Sequence, residues 1–137
     1  AYNIRVDIAD IAQTLKEEGI EGLKKMTIRV GTPIRPSAAE RLPTARAIME
    51  KLGECVAQSK LDGFRLQIHV DKTKKVPEVF FYSRNLQDMS HMFPDIVSAL
   101  YDLPVKTIIC EGEAIVYDPN TGSFLPFQET VKRKRKH

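Results

Sequence analysis

No apolar run in this chain approaches the roughly 20 residues that a helix needs to cross a bilayer, and the longest candidates are only strand-sized. The opening residues, AYNIRVDIAD, lack the basic stretch followed by an apolar core that marks a secretory signal. They also lack an initiator Met, so the natural start is expected elsewhere. Cysteine is scarce. Cys55 and Cys110 stand far apart and form neither a zinc-ligand spacing nor a CxxC pair. That argues against a zinc module and thioredoxin-type redox chemistry, and leaves the expectation of two small buried thiols in a reducing cytoplasm. There is no internal repeat, and no low-complexity segment except a basic end.

What is present is ordinary for a globular protein: 137 residues, 42% hydrophobic and 28% charged. A chain of this length hides about two-thirds of its unfolded surface on folding, enough for a real core. The net charge of +3 conceals an asymmetry. Residues 132–136 supply five of the 21 Lys and Arg; without them 16 positive charges face 18 negative ones, a balance of −2. A near-neutral body thus carries one strongly basic end, which either meets phosphate or is simply solvated.

Along the chain, Ile8, Ile11, Ala12 and Leu15 share one face of a helix over 7–18, with Asp7 as N-cap and Gly19 as stop. A further helical turn is expected over 21–26. TIRVGTPIRPS reads as a strand breaking into an extended, proline-bearing linker, because a residue before proline avoids the helical region. A boundary falls there, dividing a helical piece, 1–30, from a second unit, 31–137. Residues 44–52 place Ala45, Ile48, Met49 and Leu52 together on another helix, closed by Gly53. Strands then take over: ECVAQSK, the turn Leu61-Asp62-Gly63, and 64–70. In the last of these, Phe64, Leu66, Ile68 and Val70 face one side while Arg65, Gln67 and His69 face the other. A second strand is expected at 78–83, a short helix at 94–101, a long strand over 107–117, a turn at 118–122 and a returning segment at 123–128. Hairpin-linked strands with few intervening helices indicate an α+β fold with a mostly antiparallel sheet.

Lys60 is the residue with the most chemical promise. A lysine amine is nucleophilic only once deprotonated, which near neutral pH requires neighbouring cations, a metal or burial. The turn Asp62-Gly63 is suited to holding it toward a cleft, and Arg65 opens the polar face of the next strand. Lys60-Leu61-Asp62-Gly63-Phe64-Arg65, a KxDGxR pattern, resembles the nucleotide-accepting motif of covalent nucleotidyltransferases: DNA ligases, RNA ligases and mRNA capping enzymes. Gln67-Ile68-His69, Ser83-Arg84-Asn85, Glu111-Gly112-Glu113-Ala114-Ile115-Val116 and Pro126-Phe127-Gln128 follow in order, and then the run RKRK. That order and spacing resemble the archaeal and eukaryotic replicative class of ATP-dependent DNA ligases. The upstream EEGIEGLKK and GTPIRPSAAERL are similar to that class's junction between a DNA-binding and an adenylation domain.

The resemblance implies a fragment spanning the end of the first domain (1–30) and an incomplete second one (31–137). Lys60 would attack the α-phosphate of ATP to give lysyl-AMP, with nicked double-stranded DNA as the eventual acceptor. Arg65 matches an arginine on the ribose and 3′-hydroxyl side. Arg84 matches one that contacts nucleotide or nick phosphate; both offer forked hydrogen bonds that a lysine lacks. Glu113 matches a carboxylate for ribose and Mg2+, and alternation puts Glu111 on the same side of its strand. Gln58 stands where the family commonly has a Glu that reads adenine, and Gln87 where a Glu is usual; an amide keeps an acceptor and adds a donor. His69 is expected to be structural. Lys132, Arg133, Lys134 and Arg135 either line a DNA-facing groove or form a solvated end. Further expectations are a sliding-clamp contact outside this stretch, no membrane partner, and a cytoplasmic location, or a nuclear one in a eukaryote. The missing remainder of the pocket implies that the fragment alone is inactive. An RNA ligase or capping enzyme and a non-catalytic nucleic-acid-binding module are the competing readings.

Overall fold

Two capped helices precede the sheet. The computed structural model describes residues 1–133, so the expectations for Lys134 and Arg135 lie outside the described residues. Helix α1 spans Ile8–Lys25; the Asp7 carboxylate accepts from the N–H groups of Ala9 and Asp10, satisfying two donors that the first turn leaves orphaned. Gly19, at φ 67° and ψ −161°, leaves the helical region where a stop was expected, so α1 consists of the two expected helical stretches meeting at a kink. Helix α2, Ala45–Leu52, is capped by Thr44 Oγ1, which accepts from the Ala47 N–H, and closes at Gly53 with φ 70°. The apolar faces read from the sequence exist, but Ile8 and Leu15 on α1 and Met49 and Leu52 on α2 are exposed.

The sheet is antiparallel with order β2-β1-β3: β1 is Phe64–Asp71, β2 is Glu78–Tyr82 and β3 is Thr107–Ala114. The expected α+β architecture holds. Alternation along β1 sends Leu66 and Val70 into the core with Phe81, Met89, Met92, Phe93 and Leu100. Helix α3, Pro94–Tyr101, covers that face through Ile96, Val97 and Leu100, the residues expected to point inward. The Lys72 ammonium donates to the carbonyls of Tyr101 and Leu103 and so ties the end of α3 to the end of β1. Phe93 packs at 5.7 Å from Phe81 and 5.9 Å from Phe64, centroid to centroid. Phe81 and Phe93 are fully enclosed, each worth about 2–3 kcal/mol of apolar burial.

Five expectations change. The strand expected at the start of TIRVGTPIRPS does not form, since residues 27–37 join no ladder among the described residues. ECVAQSK is not a strand: the segment 55–62 pairs with no strand among the described residues, and Val56 is 97% exposed. Extended chain becomes a strand only when a partner takes its main-chain groups. Cys55 lies in that segment and is exposed, not buried; Cys110, on β3, is partly buried. The long strand ends at Ala114 because Ala114 lies opposite Phe64, where β1 begins, leaving Ile115 no partner. The chain then bends, and Val116 binds Leu125 and Thr130 instead. Finally, 123–128 is divided. Strands β4, Tyr117–Asp118, and β5, Ser123–Phe124, form a hairpin closed by the Asp118 carboxylate, and Phe127–Val131 is a short helix, α4. Pro126, which has no N–H for a ladder, stands at its N-cap.

Candidate functional site

Lys60, Arg65, Arg84 and Glu113 come from four separate stretches and line one cleft of about 850 Å³. β1 delivers Arg65 directly opposite Glu113 on β3, on the polar face of the sheet. The turn after β2 presents Arg84: the Ser83 N–H donates to the Gln87 carbonyl at 2.9 Å and the Leu86 N–H to the Ser83 carbonyl at 2.8 Å. Leu86 takes φ 63°, an unusual conformation for a leucine, to close that turn. Arg84 forms no ion pair among the described residues and Lys60 Nζ reaches only the Leu61 carbonyl, at 3.5 Å. Both cations are therefore open to an anion. Arg65 is committed instead, donating to Glu111 at 2.5 Å.

Gly63 sits in this arrangement for want of space, not for a special φ. A Cβ there would lie 2.6 Å from the Ala114 carbonyl oxygen, 2.5 Å from Ile115 Cγ1 and 2.8 Å from Glu113 Cγ. The missing side chain lets the Gly63 N–H donate to Glu113 Oε1 at 3.1 Å, which couples the lysine-bearing turn to the carboxylate. Glu111 and Glu113 share a face as expected, but they are used differently, one by Arg65 and one by Gly63.

The remaining sequence-selected residues divide. Gln58 is exposed and does not line the cleft, whereas Gln87 does. His69 is enclosed, bonded to Gly31 and Gln67, away from the cleft lining. Lys132 pairs with Glu129, and Arg133 pairs with Asp95 while lying 5.3 Å over the Phe93 ring. The Arg133 contact holds the Asp95 carboxyl below its usual range. Sequence reading missed Ser37, Ala38 and Ala39 as one wall of the cleft. Their only signal was the pair of prolines, Pro33 and Pro36, that carries extended chain toward them.

Three cations and two carboxylates, Asp62 and Glu113, surround this cleft, a net excess of one positive charge. A lysine on a turn, forked guanidinium donors and carboxylate oxygens are the donor set of a protein that handles phosphorylated ligands. Residues 36–137 match the family model described as ATP dependent DNA ligase domain. The chain belongs to the ATP-dependent DNA ligase family. Over its whole length it is similar to a Dictyoglomus thermophilum protein named "Probable DNA ligase", at 49% identity across 138 residues and 23% of that protein. A "DNA ligase" of Sulfophobococcus zilligii is 47% identical across 139 residues, 22% of its length. A "DNA ligase" of Saccharolobus solfataricus is 42% identical across 138 residues, covering 99% of this chain and 22% of the relative. The chain thus spans less than a quarter of these relatives.

Proposed function

We propose that this chain carries the nucleotide-accepting lysine of a DNA ligase that uses ATP to seal nicks in duplex DNA. One juxtaposition supports the reading: Lys60, Arg65, Arg84 and Glu113 meet in a single cleft. In it, residues 1–30 end a helical DNA-binding domain and 31–137 begin the adenylation domain.

The neutral Lys60 amine attacks the α-phosphorus of ATP. An N–P bond forms, the bond to the bridging oxygen breaks, pyrophosphate leaves and the amine gives up its proton. The 5′-phosphate of a nick then attacks the same phosphorus, releasing Lys60 and forming DNA-adenylate. Attack by the 3′-hydroxyl on the DNA phosphate closes the strand and expels AMP. Little covalent chemistry beyond the lysine is asked of the protein, so positioning and charge stabilisation carry the rate. Arg84 is free to fork onto a phosphate, and Arg65, steadied by Glu111, faces the ribose and 3′-hydroxyl side. Gln58 is assigned to adenine, which requires its exposed segment to approach the cleft once a nucleotide is bound.

Mg2+ commonly takes one or two protein carboxylates and fills its shell with water and phosphate oxygens. No group of three or more His, Cys, Asp or Glu forms a metal cage among the described residues. Glu113 and Asp62 supply oxygen donors at the cleft, a set that fits such a site, with Glu113 holding the ion. Bound there, the ion would neutralise charge building on the phosphates. Lys132 and Arg133, with Lys134 and Arg135, are assigned to the DNA backbone, and any sliding-clamp contact to parts outside this chain. No helix among the described residues is long and apolar enough to cross a membrane.

The test uses the full-length ligase with ATP labelled at the α-phosphate, followed by nicked duplex. An acid-labile adduct should form, discharge onto the nick and vanish in Lys60→Ala. Labelling by GTP alone, or discharge onto nicked RNA but not DNA, would overturn the assignment in favour of a capping enzyme or an RNA ligase. Salt-sensitive DNA binding with no adduct, lost only when residues 132–136 are neutralised, would leave a binding module.

A further inference from the structure

The polar face of β1 is not open to solvent beyond Arg65. It is closed by the segment that leads into the cleft. The Gly31 N–H donates to His69 Nδ1 at 3.0 Å, and the Gly31 carbonyl accepts from the Tyr82 hydroxyl at 2.8 Å. Three residues on, the Ile34 N–H donates to Gln67 Oε1 at 2.7 Å, and the Ile34 carbonyl accepts from Gln67 Nε2 at 3.1 Å. His69 and Gln67 are joined as well: with Nδ1 an acceptor, Nε2 carries the proton and donates to Gln67 Oε1 at 3.0 Å. Three side chains from neighbouring strands therefore satisfy all four main-chain polar groups of Gly31 and Ile34. None of the three is more than 7% exposed.

An apolar contact would hold this segment as well against dissociation, but would let it slide. Paired donors and acceptors fix its register, since a shift by one residue would break every bond and strand the buried amide and imidazole. The connection from Ile34 to the cleft is short and stiff. Pro33 and Pro36 keep the chain extended, and Ser37, Ala38 and Ala39 then form the cleft wall that shares its space with Lys60 and Arg84. A displacement at Ile34 therefore passes to that wall with little slack.

We infer that Gln67, His69 and Tyr82 are positioning residues for the nucleotide site: by latching residues 31–34 they set where residues 37–39 stand, and so how tightly the nucleotide is held. The inference rests on the reading of the cleft as the ATP pocket. Gln67, His69 and Tyr82 do not line the cleft that holds Lys60, so their loss should weaken nucleotide binding far more than the chemical step.

The test is self-adenylation by the full-length ligase, with KM for ATP, kcat and thermal midpoint measured for Gln67→Ala, Tyr82→Phe, His69→Ala and His69→Asn. Gln67→Ala and His69→Ala should raise KM roughly tenfold, the worth of about one buried hydrogen bond, with kcat within about twofold. Tyr82→Phe keeps the ring packing and loses one bond, so it should fold normally and raise KM about threefold. His69→Asn can offer Oδ1 to the Gly31 N–H and should recover most of what His69→Ala loses. An unmoved KM in Tyr82→Phe and Gln67→Ala would overturn the inference. So would a fall in kcat and thermal midpoint together, with His69→Asn no better than His69→Ala, since that describes only a stabilising contact. Lys60→Ala, run alongside, separates the two readings: if it keeps the adduct, the nucleotide assignment fails, and if it abolishes the adduct while KM stays unmoved in the latch variants, only the latch fails.

Discussion

Burial decides what His69 can be. Its ring is fully enclosed, and desolvation lowers its pKa from 6.5 to about 4. At neutral pH the ring is uncharged, which is what lets Nδ1 accept from Gly31. In the unfolded chain the same group titrates near 6.5, so between those values the unfolded state binds more protons and stability rises with pH. The contribution is complete above the unfolded value and lost as pH falls toward about 4, a difference of order 3 kcal/mol. Asp71 and Asp118, whose hydrogen bonds to neighbouring turn residues lower their pKa, act in the carboxylate range below this window. Urea unfolding at a series of pH values should therefore show a loss of stability from pH 6.5 downward that is much flatter in His69→Asn. Equal slopes in the two proteins would show that the ring is protonated without cost. The structural role of His69 was legible from its place on a strand, but the identity of its partner was not. Gly31 is 38 residues away, and nothing in either local pattern links them.

Strands were read correctly where a partner strand is present among the described residues and wrongly where none is. β1 announced itself by alternation, and both its neighbours are present. ECVAQSK was read as a strand but pairs with nothing among the described residues, and the expected strand at 107–117 stops where β1 offers no residue opposite. Propensity describes one chain; a ladder needs two. The candidate site was legible only as a motif spacing, which picked Lys60, Arg65, Arg84 and Glu113 from distant stretches; strand register sets Arg65 opposite Glu113, and all four line one cleft. Gly63 shows the physical content of that spacing. Adding one methyl there drives it against the Ala114 carbonyl, which cannot give way without moving the backbone at the end of β3, and against the Glu113 stem, which must swing aside. Gly63→Ala should destabilise the fold by about 1–3 kcal/mol, as overpacking does, and displace Glu113 from the Gly63 N–H. Thermal unfolding measures the first effect. A variant as stable as the parent would mean that the turn shifts freely and does not tie Lys60 to the sheet.

At the scale of the whole chain the ordered parts and the reactive part are unequally held. The three-stranded sheet encloses its core, whereas the stretch that ends in Lys60 runs exposed from 54 to 61 with its main chain outside the sheet. Amide exchange should report this directly, with fast exchange over 55–61 and strong protection over 66–70 in β1. Catalysis by attack requires more than a correct residue. The amine must stand about 3–3.5 Å from phosphorus in line with the leaving group, and loss of that order removes most of the advantage of proximity. Among the described residues Lys60 Nζ has only the Leu61 carbonyl within reach, at 3.5 Å, and the cleft is bounded by residues 37–39, the sheet, the stretch after β2 and α4. Incubated with ATP and Mg2+, these 137 residues should therefore gain no AMP by intact-mass measurement, while the full-length ligase does. Restoring the adduct by extending the chain would show that the extension orders the Lys60 segment, and exchange at 55–61 should slow in step. An AMP adduct on Lys60 of the 137-residue chain itself would show that the turn alone is already organised for attack, and that the coupling of Gly63 to Glu113 suffices to aim it.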